Sequence, residues 1–203
     1  MSQVLIAAIP KSGNNMMQKA CHLLGVEAEY AHTTNYHLAD TRRCIYIYRN
    51  PRNVLVSALR YRNHQRRGYG TEITTEKLID VFYDFFNNSL PSTYQAYSKW
   101  MGTNAHIVRF EDFISNPGEF DKLADYLQVP RRPEAYKELS GGTATWTGSL
   151  SDWTQHWSPE LDAHWIANGM PEIEHSLGYG DWKPEQKNWM QRKKEALLQL
   201  LFG

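Results

Sequence analysis

The hydrophobic residues of this chain fall into short continuous runs and into longer segments where they recur every three or four positions. The runs at positions 4–9 and 44–48 are almost continuously apolar or aromatic, which is typical of strands that are covered on both faces. Two further runs of strand length lie at 106–110 and, with a weaker pattern, at 28–32. We therefore predict four buried strands.

Segments with helical spacing lie between and after these strands. Gly25 can end the first helix, and Asn50-Pro51 pairs an N-cap residue with a proline at the first helical position of the next. Apolar stripes at 16–24, 54–59, 78–86 and 120–127 mark four predicted helices, and two more are predicted at 159–168 and 184–201. The stretch 62–75, which contains several arginines and glycines, is predicted to be a surface loop.

Strands that alternate with helices predict an α/β fold with a central parallel sheet and helices on both sides. We expect a single domain over residues 1–203, built as a three-layer sandwich like that of nucleotide kinases. Ligands of such sheets bind at the carboxyl ends of the strands. Lys11, His32 and Arg49 all lie at predicted strand ends and are therefore candidate site residues.

Charge and cysteine content limit the possible partners. The 22 basic and 22 acidic residues cancel, whereas general nucleic-acid binders carry a basic excess, so any anion site must be local. Cys21 and Cys44 form no CxxC pair, which favours a reducing compartment. The apolar run before Pro10 is too short for a signal peptide or a membrane span. We expect a soluble, cytoplasmic protein that binds neither nucleic acid nor membrane.

The turn after the first strand is the strongest chemical signal. Pro10-Lys11-Ser12-Gly13 joins a buried strand to a helix, so backbone N–H groups and the positive helix end converge on one point. Anions, above all phosphates, bind at such points, and Lys11 lies within reach. The turn is not a P-loop, because its lysine precedes its one glycine. Taken alone, it also fits an ordinary strand–helix connection with an exposed lysine.

A second pattern follows the third strand. Arg49 ends the strand and Ser57 lies two helical turns later, and a guanidinium with a nearby hydroxyl can hold a phosphate. Ser57 alone fits an ordinary helix serine bonded to the backbone better than a phosphate ligand. Arg52 would lie in the first helical turn, where the helix dipole disfavours a cation, so an anionic group is expected close to it.

Together the two patterns resemble the sulfotransferases that use 3′-phosphoadenosine 5′-phosphosulfate (PAPS). The matching residues are Pro10-Lys11-Ser12-Gly13 and Tyr48-Arg49-Asn50-Pro51-Arg52-Asn53-Val54-Leu55-Val56-Ser57. Looser matches follow in the family's order at Val108-Arg109-Phe110-Glu111-Asp112-Phe113 with Asn116-Pro117, and at 147–157. The resemblance implies a PAPS-dependent enzyme that needs no metal, and the chain shows no metal-ligand spacing such as H-x-x-x-H.

The resemblance also implies a role for each matching residue. The 5′-phosphosulfate of PAPS would be bound by Lys11, Ser12, Gly13, Asn14 and Asn15. Arg49 and Ser57 would bind the 3′-phosphate, Gly148 would add a backbone contact near it, and Phe110 would lie near the nucleotide.

Two departures from the family pattern affect donor binding. Asn14-Asn15-Met16 replaces the usual hydroxyl residues and tryptophan, so the adenine contacts of the family are not assured. Trp146-Thr147 replaces an Arg-Lys pair that contacts the 3′-phosphate, a loss of about 1.5–3 kcal/mol if nothing compensates. The nearby arginines are candidate replacements: Arg60, Arg62, Arg66 and Arg67.

Sulfuryl transfer requires a base that accepts the proton of the acceptor group. The family commonly uses a histidine just after the second strand, and His32 occupies that place. Histidine titrates near neutral pH and suits the role. His37 is the second candidate, because strand ends are predicted only to within a few residues, and Asp40 is a weaker one.

The sequence therefore predicts in-line sulfuryl transfer from PAPS to a hydroxyl or amine, with Lys11 and His32 as catalytic residues. A small molecule or a glycan is the expected acceptor, but its identity and the oligomeric state cannot be derived from the sequence. Two other functions remain open: a small-molecule or nucleotide kinase on a related fold, and a non-catalytic nucleotide-binding protein with a degenerate site.

Overall fold

The structure is a computed structural model. Its central element is a four-stranded parallel sheet. The structure describes residues 3–65, 72–139, 150 and 152–180. The strands are β1 (Val4–Ala8), β2 (Ala28–Ala31), β3 (Cys44–Tyr48) and β4 (His106–Arg109), in the order β2-β1-β3-β4. All four predicted strands are confirmed, each to within one residue at its carboxyl end. Some of the predictions concern residues outside the described ranges. These are the helix at 184–201, Gly148, Trp146-Thr147, Arg66 and Arg67.

The register aligns the carboxyl ends of the strands. Ala8 lies opposite Ile47 of β3, and Tyr48 lies opposite Arg109 of β4. At the other side of β1, Ala7 pairs with Ala31 at the end of β2. The segments that follow the four strands therefore start at one edge of the sheet.

Eight α-helices lie in the described part of the chain, in the order α1 to α8. Asn116 caps α6 through its side chain, which accepts a hydrogen bond from the Gly118 N–H group, and Ser158 caps α7 in the same way for Leu161. The helices are α1 (Asn14–Leu23), α2 (Pro51–Gln65), α3 (Thr75–Tyr83), α4 (Leu90–Tyr97), α5 (Phe110–Ser115), α6 (Pro117–Leu127), α7 (Pro159–Ala167) and α8 (Met170–Ser176).

The two faces of the sheet are covered by different helices. Successive side chains of a strand point to opposite faces, and all of β1 is buried. One face carries Ile6 and Ile45 and packs against α1 and α6, while the other carries Ala7 and Tyr46 and packs against α2, α3, α4 and α7. A parallel sheet between two helical layers confirms the predicted α/β sandwich.

The chain around Phe86 differs from the prediction. The apolar stripe at 78–86 indicated one helix, but α3 ends at Tyr83, and Phe86 and Asn87 adopt positive φ angles of 48° and 73°. This turn leads into α4, which was not predicted although Ser89 caps it by accepting from the Ser92 N–H group. The predicted loop at 62–75 was also too long at its start, because α2 continues to Gln65.

Replacing Tyr46 with phenylalanine is expected to stabilise the protein. The Tyr46 hydroxyl is buried and has no hydrogen-bond partner within the described residues, and such groups cost about 1–3 kcal/mol. Removing it should raise the melting temperature by about 2–4 °C for each ~1 kcal/mol regained. The control is Tyr126→Phe, which removes a hydroxyl that donates to Cys44 O and accepts from Cys44 N and should lower it. A lower melting temperature for Tyr46→Phe would contradict this account.

Candidate active site

Each strand of the sheet is followed, within three positions, by a residue that the sequence nominated. The turn with Lys11 follows β1, His32 follows β2, Arg49 follows β3 and Phe110 follows β4. The strand order also places a topological switch point between the carboxyl ends of β1 and β3, which is where open α/β sheets bind ligands. The predicted residues therefore gather at the edge where a ligand is expected.

The turn after β1 has a constrained backbone. The Ser12 N–H group donates to Ile9 O at 3.2 Å, and Lys11 has a φ of 71°, a left-handed conformation that is uncommon for a residue with a side chain. Gly13 precedes α1 with a φ of 112°; no side chain caps this helix, and its first turn contains no acidic residue. The positive end of α1 thus lacks an anionic partner of its own and suits a bound anion.

The Phe110 ring leaves no room for a side chain at position 13. A Cβ atom there would lie only 2.5 Å from Cδ2 of Phe110, so any side chain would collide with the ring. The same ring contacts the guanidinium group of Arg49, whose Cζ lies 4.5 Å from the ring centroid. Phe110 therefore joins the turn after β1 to the end of β3.

Two cations meet at this position. Arg49 is only 9% exposed, and its Nη1 donates to the backbone oxygen of Lys11 at 3.3 Å. Burial, and then the positive charge of Arg49, lower the pKa of Lys11 from its ordinary value. A negatively charged ligand would offset both effects.

Buried polar atoms of the turn have unused hydrogen-bonding capacity. Ser12 is fully buried, and neither its Oγ nor Oδ1 of Asn14 has a hydrogen-bond partner within the described residues. Buried polar atoms are normally paired. The Ser12 hydroxyl can donate to an anion bound at the turn, so the residues present fit a phosphate or sulfate group.

His32 is anchored to the end of β1. Its Nδ1 lies 3.0 Å from the backbone oxygen of Ala8, and since a carbonyl only accepts, this nitrogen carries the hydrogen. In the neutral ring Nε2 is then an acceptor, as a general base requires. His37 lies further along, where Nδ1 is 3.6 Å from Oδ2 of Asp40 and both side chains are exposed.

Ser57 belongs to a buried face of α2. Asn53 and Ser57 are one turn apart on this helix and are 3% and 6% exposed. Nδ2 of Asn53 donates to the backbone oxygen of Leu150 at 2.6 Å. This contact places Leu150 beside the face that carries Ser57.

Arg52 has its anionic partner within the protein. Its guanidinium group bonds both carboxylate oxygens of Glu174 at 2.7 and 3.0 Å and Oδ1 of Asp162 at 3.3 Å. The anionic group expected near Arg52 is therefore supplied by α7 and α8 rather than by a ligand. The rings around this guanidinium group belong to Trp153, Trp157 and Trp165.

The arginines nominated as replacements for the missing Arg-Lys pair have other contacts where they are described. Arg62 bonds the backbone and the carboxylate of Asp84. Nη2 of Arg60 lies 3.4 Å from Nε2 of His156.

Three residues near the site were not nominated from the sequence. The Lys11 ammonium lies 3.8 Å from the centroid of the Tyr61 ring. The Tyr94 hydroxyl donates to Arg49 O, and Glu111 accepts from Asn50 N. Glu111 lay within a motif that resembled the family, but nothing in the spacing of Tyr61 or Tyr94 connects them to this site.

No helix in the described ranges is long and apolar enough to cross a membrane. Within those ranges, no three histidine, cysteine, aspartate or glutamate side chains are grouped so that they could hold a metal ion.

Comparisons with known proteins give a family match and similar solved structures. The family model described as "Sulfotransferase domain" matches residues 32–158, more than half of the chain, beginning at His32 and thus after the Lys11 turn. Mouse sulfotransferase SULT7A1 complexed with PAP is similar in structure, with a TM-score of 0.68, 13% identity and coverage of 88% of this chain and 86% of that one. No curated protein matches significantly.

A second similar structure is retinol dehydratase in complex with androsterone and inactive cofactor PAP. Its TM-score is 0.64 at 13% identity, over 89% of this chain and 82% of that one. At such identities the two structural similarities show a shared fold.

Proposed function

The chain belongs to the sulfotransferase family, and from that premise we propose how it binds PAPS and which residues act in transfer. PAPS is the donor of the sulfuryl group, and a hydroxyl or amine of a small molecule or glycan is the proposed acceptor. Lys11 and His32 are the proposed catalytic residues. The observation that carries the proposal is the hydrogen bond from the Arg49 guanidinium group to the backbone oxygen of Lys11, at the switch point between β1 and β3.

The turn after β1 is the proposed site of the 5′-phosphosulfate. Its residues are Lys11, Ser12, Gly13, Asn14 and Asn15. The N-terminus of α1, which no side chain caps, and the Ser12 hydroxyl, which has no partner among the described residues, support this assignment, because both are donors that a bound anion would satisfy. The lowered pKa of Lys11 also supports it, since a nearby anion would offset the effects of burial and of Arg49 that lower this pKa.

The end of β3 and the start of α2 form the proposed site of the 3′-phosphate. Arg49 and Ser57 would bind this group, with the backbone of Gly148 close by. The contact between Asn53 and Leu150 brings Leu150 to the face of α2 that Asn53 shares with Ser57. Phe110, which lies against Arg49 and Gly13, would bound the nucleotide site.

In the proposed mechanism, His32 accepts the proton of the acceptor group at Nε2. PAPS supplies the sulfuryl group, whose bond to the bridging oxygen breaks as its bond to the acceptor forms. Lys11 stabilises the negative charge that develops on the bridging oxygen, and the N–H groups of the turn hold the nonbridging oxygens. Catalysis then consists of placement and electrostatic stabilisation, and adenosine 3′,5′-bisphosphate (PAP) is the second product.

Replacing Arg49 with alanine is expected to weaken PAP binding by about 10–100-fold, the loss of a hydrogen-bonded charge pair. Binding of 5′-AMP, which lacks the 3′-phosphate, should change little. Calorimetry with the two nucleotides measures the difference. The control is Arg131→Ala, which removes an exposed arginine that pairs with Asp125. Unchanged PAP affinity in Arg49→Ala would place the 3′-phosphate elsewhere.

A further inference from the structure

One peptide group at the site is held from both sides by side chains of other elements. It joins Arg49, the first residue after β3, to Asn50, the N-cap of α2. Its carbonyl oxygen accepts from the Tyr94 hydroxyl at 3.0 Å, and its N–H group donates to Oε1 of Glu111 at 3.1 Å. Tyr94 belongs to α4 and Glu111 to α5. Both hydrogen-bonding groups of a single peptide plane are thus fixed by buried or partly buried side chains.

The donor on the carbonyl side is protected from water. Tyr94 is 2% exposed, and burial raises the pKa of its hydroxyl well above the ordinary value. The hydroxyl therefore stays protonated and donates a hydrogen bond to Arg49 O. Loss of this donor would cost the Arg49 carbonyl a buried hydrogen bond.

The acceptor on the N–H side is itself oriented. Oε2 of Glu111 accepts from the Tyr179 hydroxyl at 2.6 Å, so each carboxylate oxygen has its own donor. The Tyr179 ring also contacts Tyr48, the residue before Arg49, edge to face at 6.2 Å between centroids. The carboxylate of Glu111 therefore cannot rotate without losing a hydrogen bond.

We propose that Tyr94 and Glu111 are positioning residues for Arg49. By fixing the plane of the Arg49–Asn50 peptide, they fix the direction in which the Arg49 side chain leaves the backbone. The guanidinium group then reaches Lys11 O and the Phe110 ring instead of sampling other orientations. The inference rests on the proposed role of Arg49 at the 3′-phosphate, and neither Tyr94 nor Glu111 touches the ligand.

Tyr94→Phe tests the carbonyl side with the smallest possible change. We expect PAP affinity to fall by about tenfold and 5′-AMP affinity to stay within about twofold, as measured by calorimetry. We expect the loss to affect PAP and not 5′-AMP, because only PAP carries the 3′-phosphate that Arg49 is proposed to bind. Tyr97→Phe is the matched control, because Tyr97 lies on the same helix, is 5% exposed and makes no hydrogen bond to Arg49 or Asn50 among the described contacts. It should leave both affinities unchanged.

Glu111→Ala tests the N–H side and keeps the proposal testable if Tyr94→Phe does not fold. It should show the same selective loss of PAP affinity. Glu111→Gln should restore most of it, because the amide oxygen can still accept from Asn50 N and the Tyr179 oxygen can accept from the amide nitrogen. Thermal melts establish that each variant is folded before binding is measured.

Two results would overturn the proposal: equal weakening of PAP and 5′-AMP, which marks a general structural role, or unchanged PAP affinity in Tyr94→Phe and Glu111→Ala. Arg49→Ala in the same assay separates this inference from the proposed function. If Arg49→Ala loses PAP affinity while the other two variants do not, only the positioning role is wrong. If Arg49→Ala binds PAP normally, the assignment of Arg49 is wrong and the inference falls with it.

Discussion

Replacing Lys11 with alanine is expected to lower turnover by at least about a hundredfold, the usual cost of removing one donor that stabilises charge in a transition state. The ammonium group would face the bridging oxygen of the donor, where negative charge grows as the sulfuryl group leaves. The fold should survive, because the Lys11 side chain is partly exposed. The contact that the change removes is that of the ammonium with the Tyr61 ring. Alanine in the left-handed conformation is no more strained than lysine.

The measurement is kcat with labelled PAPS and an acceptor that the unmodified protein sulfates, chosen from a panel of phenols, alcohols, sugars and peptides. Lys122→Ala is the control, because that lysine pairs with Glu119 on an exposed part of α6. PAP binding should fall far less than turnover in Lys11→Ala, since the charge that Lys11 stabilises develops only during transfer. Turnover close to that of the unmodified protein would remove Lys11 from the mechanism.

The sequence predicted the sheet and its functional edge because their signals are local. A strand buried on both faces needs a continuous apolar run, and β1 and β3 have one. A polar residue follows each of the first three strands within three positions, so Lys11, His32 and Arg49 were correctly placed after the strands. The parallel arrangement then brings those ends to one edge of the sheet, whatever the details of packing.

Contacts between distant segments could not be predicted in this way. Arg52 bonds Glu174, which lies 122 residues away, and Tyr94 reaches back 45 residues to Arg49. Spacing patterns describe neighbours within a helix or strand, so they identify neither partner. They did indicate that Arg52 needed an anion, because a cation in the first turn of a helix is disfavoured, but not that α8 supplies it.

The end of α3 shows a second limit of periodicity. Phe85 and Phe86 continue the apolar spacing of the helix, yet the chain turns at Phe86 and Asn87. Phe85 is buried in the core, whereas Phe86 is 42% exposed, so only the first of them fulfils the expected burial. Apolar spacing predicts burial only while the chain remains helical, and asparagine tolerates the left-handed conformation that ends it here.

Replacing His32 with alanine is expected to lower transfer by about 10²–10⁴-fold, the typical contribution of a general base, while PAP binding persists. The hydrogen bond from Nδ1 to Ala8 O holds the ring at the end of β1 and leaves Nε2 to accept the proton. In the proposed arrangement PAP does not contact His32, so the PAP affinity should stay within about twofold of that of the unmodified protein.

His32→Asn separates the base from its anchor. The asparagine amide can donate to Ala8 O in place of Nδ1, but it cannot accept a proton at neutral pH, so transfer should be lost as fully as in His32→Ala. His37→Ala is the matched control, because His37 is exposed beside Asp40, and it should retain normal turnover with the same acceptor. If His32→Asn remains active and His37→Ala does not, then His37 is the base and the bond to Ala8 serves only to hold β2 against β1.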